Sequence, residues 1–258
     1  MITSTHNPKI QNVRLLQARS RERRQAQAFV VEGVRLVEEA LAARWQAQLV
    51  LHTQDLNARG LEAVDGFRSQ GAQVEMVSEE VMSAASDTQT PQGILAVLPM
   101  RTLPIPENLD FVFIADAVRD PGNLGTMLRT AAAAGVQAVF LPPATVDLYS
   151  PKVVRAAMGA HFRLAIHVLN WSEIRSQMKA ANLQVYLAAA ATGTPYTETD
   201  FRLPLALLIG GEASGAEPEG QQLADAQVHI PMPGQVESLN AAIAAGVLLF
   251  EVVRQRSG

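Results

Sequence analysis

Apolar residues recur along this chain in two forms, short uninterrupted runs and longer stretches in which they return every third or fourth position. In the first part FVVEG (29–33), AQLVLHT (47–53), QVEMVS (73–78) and GILAVL (93–98) read as strands. VRLVEEALAA (34–43) and the stretch from Leu56 to Ser69 carry helical spacing. The alternation predicts a small three-layer α/β domain over residues 1–100. RTLPIPENLD then brings two prolines and no helical period, which marks residues 101–109 as a linker. From Asp110 onward the strands FVFIADAV, AVFLPP, LAIHVL, QVYLAAA, LPLALLIG and QVHIPM alternate with helices expected from Asn123, Pro151, Trp171 and about Leu239. Strands apolar at every position are buried on both faces, so residues 110–258 should form a mainly parallel sheet covered by helices.

Composition narrows the picture. A chain of 258 residues with 48% hydrophobic content supports one large core or two ordinary ones. The absence of cysteine excludes disulfides and thiolate chemistry. The five histidines show no close ligand spacing, so no metal is expected. No apolar run is long enough to cross a bilayer, and MITSTHNPKIQNVRLL lacks the apolar core of a secretory signal, so a cytoplasmic location is the expectation. A net charge of -4 argues against indiscriminate coating of nucleic acid. The charge is uneven, however: Lys9, Arg14, Arg19, Arg21, Arg23 and Arg24 face the single acid Glu22 in the first 24 residues. Such a run fits a solvated helix face or a grip on phosphates.

Three segments share one grammar, an apolar strand followed by polar residues at a turn: NLGTMLRTAAAAG (123–135), LLIGGEASG (207–215), and QVHIPMPG (227–234) leading into SLNAAIAAG (238–246). Asn123 reads as a helix cap, as do Ser238 and Asn240 before the last helix. Glu212 follows the apolar strand LALLIG, where a carboxylate needs partners. After FVFIADAV the chain reads RDPGNLGTMLRT, so the GxGxxG of a dinucleotide fold is missing where it is required. GGEASG also lacks the Lys-Ser/Thr ending of a P-loop.

Together and in this order, the three segments resemble the motifs of the SpoU-type (TrmH-like) RNA ribose 2'-O-methyltransferases of the SPOUT class. The resemblance implies a C-terminal SPOUT domain with a deep trefoil knot, preceded by an L30e-like RNA-binding domain, which FVVEGVRLVEEAL and DTQTPQGILAV also resemble. It implies S-adenosylmethionine as cofactor, a homodimer, and RNA as substrate and partner, without membrane or metal. By matching position the catalytic set is Asn123, Arg129, Glu212, Ser238 and Asn240. Ile209, Gly210, Gly211, Ile230, Met232, Ser238, Leu239 and Asn240 are implied to hold the cofactor. Arg19, Arg21, Arg23, Arg24, Lys152 and Arg155 are the candidates for RNA contact. Gly211 stands where the family usually has Asn, a departure expected to adjust affinity.

The expected reaction is methylation of a ribose 2'-oxygen in structured RNA, 23S rRNA ahead of tRNA. A catalytically silent rRNA-binding protein is the alternative, against which the intact Arg129 and Asn240 speak.

Overall fold

The computed structural model describes residues 1–211, 215–234 and 236–257. Two compact units form: Met1–Arg101 with Tyr149–Phe162, and Thr102–Leu148 with Arg163–Gly258.

In the first unit, helices α1 (Pro8–Ala18) and α2 (Ser20–Ala26) precede β1 (Ala28–Glu32), α3 (Val34–Ala42), β2 (Leu49–His52), α4 (Ala58–Ser69), β3 (Gln73–Met76), α5 (Glu79–Ala85) and β4 (Ile94–Pro99). The sheet order is β1-β4-β2-β3, with β2 and β3 parallel and the other pairs antiparallel. Side chains alternate between two cores. Phe29, Val31, Ile94, Ala96 and Leu98 pack with Val37, Trp45 and Phe67 on one face. Val30, Leu51, Leu95 and Val97 meet Ile10, Val13, Leu16, Val81 and Met82 on the other. This is the three-layer arrangement that the doubly apolar strands predict.

The basic N-terminal run folds as α1 and α2, and it is not wholly a solvated face. Arg23 is only 4% exposed. Its Nη1 donates to the carbonyls of Leu16 at 2.7 Å and Gln17 at 3.1 Å, groups that the end of α1 leaves without helical partners. Its place among the RNA-contact candidates is therefore corrected: burial and two carbonyl bonds commit it to joining the helices.

The segment 149–162 holds α7 (Pro151–Ala157), which follows α6 (Pro121–Ala133) and β6 (Ala138–Leu141) in the chain. It groups with the first unit, whereas the strand-helix pattern placed it within 110–258. Val154 and Phe162 enter the core of Phe29 and Trp45, and the Tyr149 and Phe29 rings lie 4.8 Å apart. Such long-range burial leaves no trace in local periodicity.

The second unit contains β5 (Phe111–Asp116), α6, β6, β7 (Ala165–Val168), α8 (Trp171–Ala180), β8 (Gln184–Ala189), β9 (Thr194–Pro195), β10 (Leu205–Gly210), α9 (Pro218–Leu223), β11 (Ala226–His229) and α10 (Ala241–Ser257). Its sheet runs β7-β6-β5-β10-β8-β11-β9 with every pair parallel. Helices α8 and α9 cover one face through Ile174, Met178 and Leu223. Helices α6 and α10 pack together and bury Met127, Leu128, Leu248 and Leu249. Because all strands run the same way, their carboxyl ends gather on one edge, where ligand sites of open α/β sheets form.

Candidate active site

That edge holds a cavity of about 480 Å³, within the range of small-molecule sites. Its wall is built from the ends of β8, β10 and β11, the segment after β11 and the start of α10. Ile209, Gly210, Gly211, Ile230, Met232, Ser238, Leu239 and Asn240, all expected at one site from sequence, line it together. Ala188, Ala189, Ala190, Gly215, Ala241 and Ala244 also line it and were not anticipated. The only available signal for them was their small size, and only the sheet order places β8 beside both β10 and β11.

The cavity depends on backbone approaching backbone. A Cβ on Gly210 would lie 2.1 Å from the Ala216 nitrogen, and one on Gly211 2.2 Å from the Ala117 carbonyl oxygen. Gly211 and Gly215 bridge each other, with the Gly215 N–H donating to the Gly211 carbonyl at 3.2 Å. The departure at Gly211 is thus more than a missing side-chain contact, since this backbone leaves no space for one. Ala117 itself adopts φ 52°, a left-handed conformation unusual for alanine and part of the same close approach.

The first and third sequence motifs meet through their asparagines. Asn240 Nδ2 donates to Asn123 Oδ1 at 3.0 Å across 117 positions of sequence. The other end of the Asn240 amide caps α10, accepting the N–H groups of Ala242 at 2.9 Å and Ile243 at 3.2 Å. Asn123, in contrast, is not the cap of α6. The helix begins at Pro121, and Asp120 accepts the Asn123 N–H at 2.8 Å. With that role taken, the Asn123 side chain is turned to Asn240. Arg129 is exposed on α6 and is not part of the cavity wall. Glu212 lies outside the described residues.

Of the remaining RNA-contact candidates, Arg19, Arg21, Arg24 and Lys152 are exposed. Arg155 pairs with Asp87 at 2.7 Å.

At the end of β5 stands Asp116, fully buried. Its Oδ2 accepts the Glu217 N–H at 2.7 Å, while Oδ1 has no hydrogen-bond partner among the described residues. Burial, opposed by the Glu217 N–H bond and aided by the charges of Glu217 and Glu219, pushes this carboxyl up to about 6. A carboxyl raised by folding stabilises the native state fully below its unfolded value and loses that contribution as pH climbs through the folded one. Wild type should therefore lose on the order of 2–3 kcal/mol relative to Asp116→Asn between about pH 4 and pH 6.5. Urea unfolding of both proteins across that window measures it, and a constant difference between the two would contradict the assignment.

Known proteins match this architecture over its whole length. Residues 110–250 match the SpoU rRNA Methylase family and residues 7–96 the MRM3-like substrate binding domain. The chain is 35% identical to the 23S rRNA (guanosine(2553)-2'-O)-methyltransferase RlmP of Bacillus subtilis, covering 97% of this chain and 98% of that protein. It is 30% identical to the 23S rRNA (uridine(2479)-2'-O)-methyltransferase of Streptomyces viridochromogenes, over 98% of this chain and 92% of that one. Among solved structures, the AdoMet-bound rRNA methyltransferase from Sinorhizobium meliloti superposes with a TM-score of 0.87 at 32% identity, covering 98% of this chain and 97% of that chain. By its family match, its full-length relatives and its fold, this chain belongs to the SpoU rRNA methylase family.

Proposed function

We propose that this protein transfers a methyl group from S-adenosylmethionine to a ribose 2'-oxygen of 23S rRNA. The observation that carries the reading is the Asn240–Asn123 hydrogen bond, which ties the helix of the first motif to the rim of the cavity. The cavity suits the cofactor: among the described residues no charged side chain lines it, and its alanines and glycines leave backbone donors and acceptors accessible to a nucleoside. Ile209, Gly210, Gly211, Ile230, Met232 and Leu239 would hold it, with Ser238 and Asn240 at the polar end. The cofactor supplies an electrophilic methyl on a sulfonium.

What the chain adds is positioning. In-line displacement by an oxygen needs the ribose held in place and its developing charge stabilised. Arg129 is exposed on the helix that also carries Asn123, and its guanidinium presents a planar fork of donors that matches phosphate. In this reading it grips a phosphate beside the target and stabilises the alkoxide, while the proton leaves to phosphate, water or a group of a second subunit. Glu212 is assigned by position in the motif to support these residues. Arg19, Arg21, Arg24 and Lys152 supply the phosphate grip that fixes the RNA without reading its sequence. The deep trefoil knot and the cytoplasmic location belong to the same reading. No helix among the described residues is long and apolar enough to cross a membrane.

The proposal includes a homodimer. On α10, Ile243 is 56% and Phe250 48% exposed, and Val247 between them is partly exposed, which makes one apolar stripe at helical spacing. A second copy of the chain is the expected cover.

Two experiments test this account. Labelled methyl transfer to unmodified 23S rRNA and to unmodified tRNA, followed by alkaline hydrolysis, should leave label in alkali-resistant dinucleotides from the rRNA alone, because a methylated 2'-oxygen cannot attack its phosphate. Arg129→Ala should lower that transfer by about 100-fold or more with cofactor affinity retained. Label in mononucleotides would point to base methylation, and label from tRNA alone would reassign the substrate. In sedimentation, wild type should run as a dimer and the double variant Ile243→Asp, Phe250→Asp as a folded monomer; a dimer that survives both changes would place the interface elsewhere.

A further inference from the structure

Asp116 is an expensive residue to bury. One of its oxygens has no hydrogen-bond partner among the described residues, and the nearby charges of Glu217 and Glu219 are of its own sign. What it holds is specific. Its backbone lies in register with Gly210, the last residue of β10. Its Oδ2 takes the N–H of Glu217, which opens α9 with no capping bond of its own side chain. One residue of β5 therefore touches the cavity-forming segment at both ends, through its main chain at Gly210 and through its carboxyl at Glu217.

The surroundings leave little slack. A Cβ on Gly220, in the first turn of α9, would lie 2.7 Å from Asp116 Oδ2 and 2.9 Å from the Trp171 ring, so the helix closes directly over the carboxyl. Between the two anchors, Gly210, Gly211 and Gly215 line the cavity and fold back on one another. An apolar residue at 116 would remove the buried charge but leave the Glu217 N–H without an acceptor.

We propose that Asp116 is a positioning residue for methyl transfer, fixing Gly210 and Glu217 together so that the wall of the cavity made by Gly210, Gly211 and Gly215 is set for S-adenosylmethionine. The inference rests on the assignment of this cavity to the cofactor. Asp116 touches no reacting atom and acts through the wall it holds.

The test is calorimetric titration of S-adenosylmethionine into the full-length protein, with thermal melting of each cofactor-free variant. Asp116→Asn keeps an acceptor oxygen and should bind within threefold of wild type. Asp116→Leu removes the acceptor and should weaken binding at least tenfold. Glu217→Pro removes the same bond from the donor side, at a residue whose φ of -63° suits proline. It should show a similar loss with Asp116 intact, which keeps the test decisive if the leucine variant does not fold. The double variant should be no weaker than the worse single one, since both lack the same contact. Variants that melt earlier yet bind S-adenosylmethionine like wild type would overturn the proposal and leave Asp116 a structural residue only. A wild-type protein that does not bind S-adenosylmethionine would overturn the cavity assignment itself.

Discussion

The site depends on one steric constraint: the last residue of β10 and the one after it run where no side chain fits. Gly211 lies against the Ala117 carbonyl, and Gly210 against the returning backbone at Gly215 and Ala216. These approaches let the chain turn within a few residues of a buried strand and expose main-chain groups on a concave surface. The parallel sheet supplies the rest, since β8, β10 and β11 finish on the same edge and their small terminal residues leave the space open. The cavity is therefore a property of backbone packing more than of any polar side chain.

That geometry concentrates local cost at the carboxyl edge of the sheet. Ala117 is held at positive φ, and Asp116 is buried with one oxygen that finds no partner among the described residues. Each is the kind of feature a stable framework carries at a functional site. The framework here is the run of fully buried strands, with Val112, Phe113, Ile114, Leu207 and Leu208 inaccessible to solvent. Burial of this extent offsets a few kcal/mol of strain and desolvation at the edge.

Much of the fold was legible because parallel strands buried on both faces carry continuous apolar runs, as LALLIG and FVFIAD do. Motif order grouped Ile209, Gly210, Gly211, Ile230, Met232, Ser238, Leu239 and Asn240, which lie on one wall, but it gave nothing of the alanines at the end of β8. What escaped was long-range. Arg23 looks like its exposed neighbours until the bend between α1 and α2 turns it inward onto two carbonyls. The segment 149–162 reads as another strand-helix repeat, yet its apolar residues pack with Phe29 and Trp45. Asn123 reads as a cap because asparagine favours that place, but Asp120 with Pro121 starts the helix earlier and leaves Asn123 to bond Asn240. Asp116 carried no signal at all, since its partner Glu217 lies 101 positions away.

We place S-adenosylmethionine in the space bounded by β8, β10, β11 and α10. Ala244 lines that space from the first turn of α10, and a tryptophan there would fill it. Calorimetry of S-adenosylmethionine binding to Ala244→Trp, with circular dichroism to establish that the variant is folded, is the most direct measurement. The variant should fold and its affinity should fall by about 100-fold or more; a folded variant that binds like wild type would place the cofactor somewhere else.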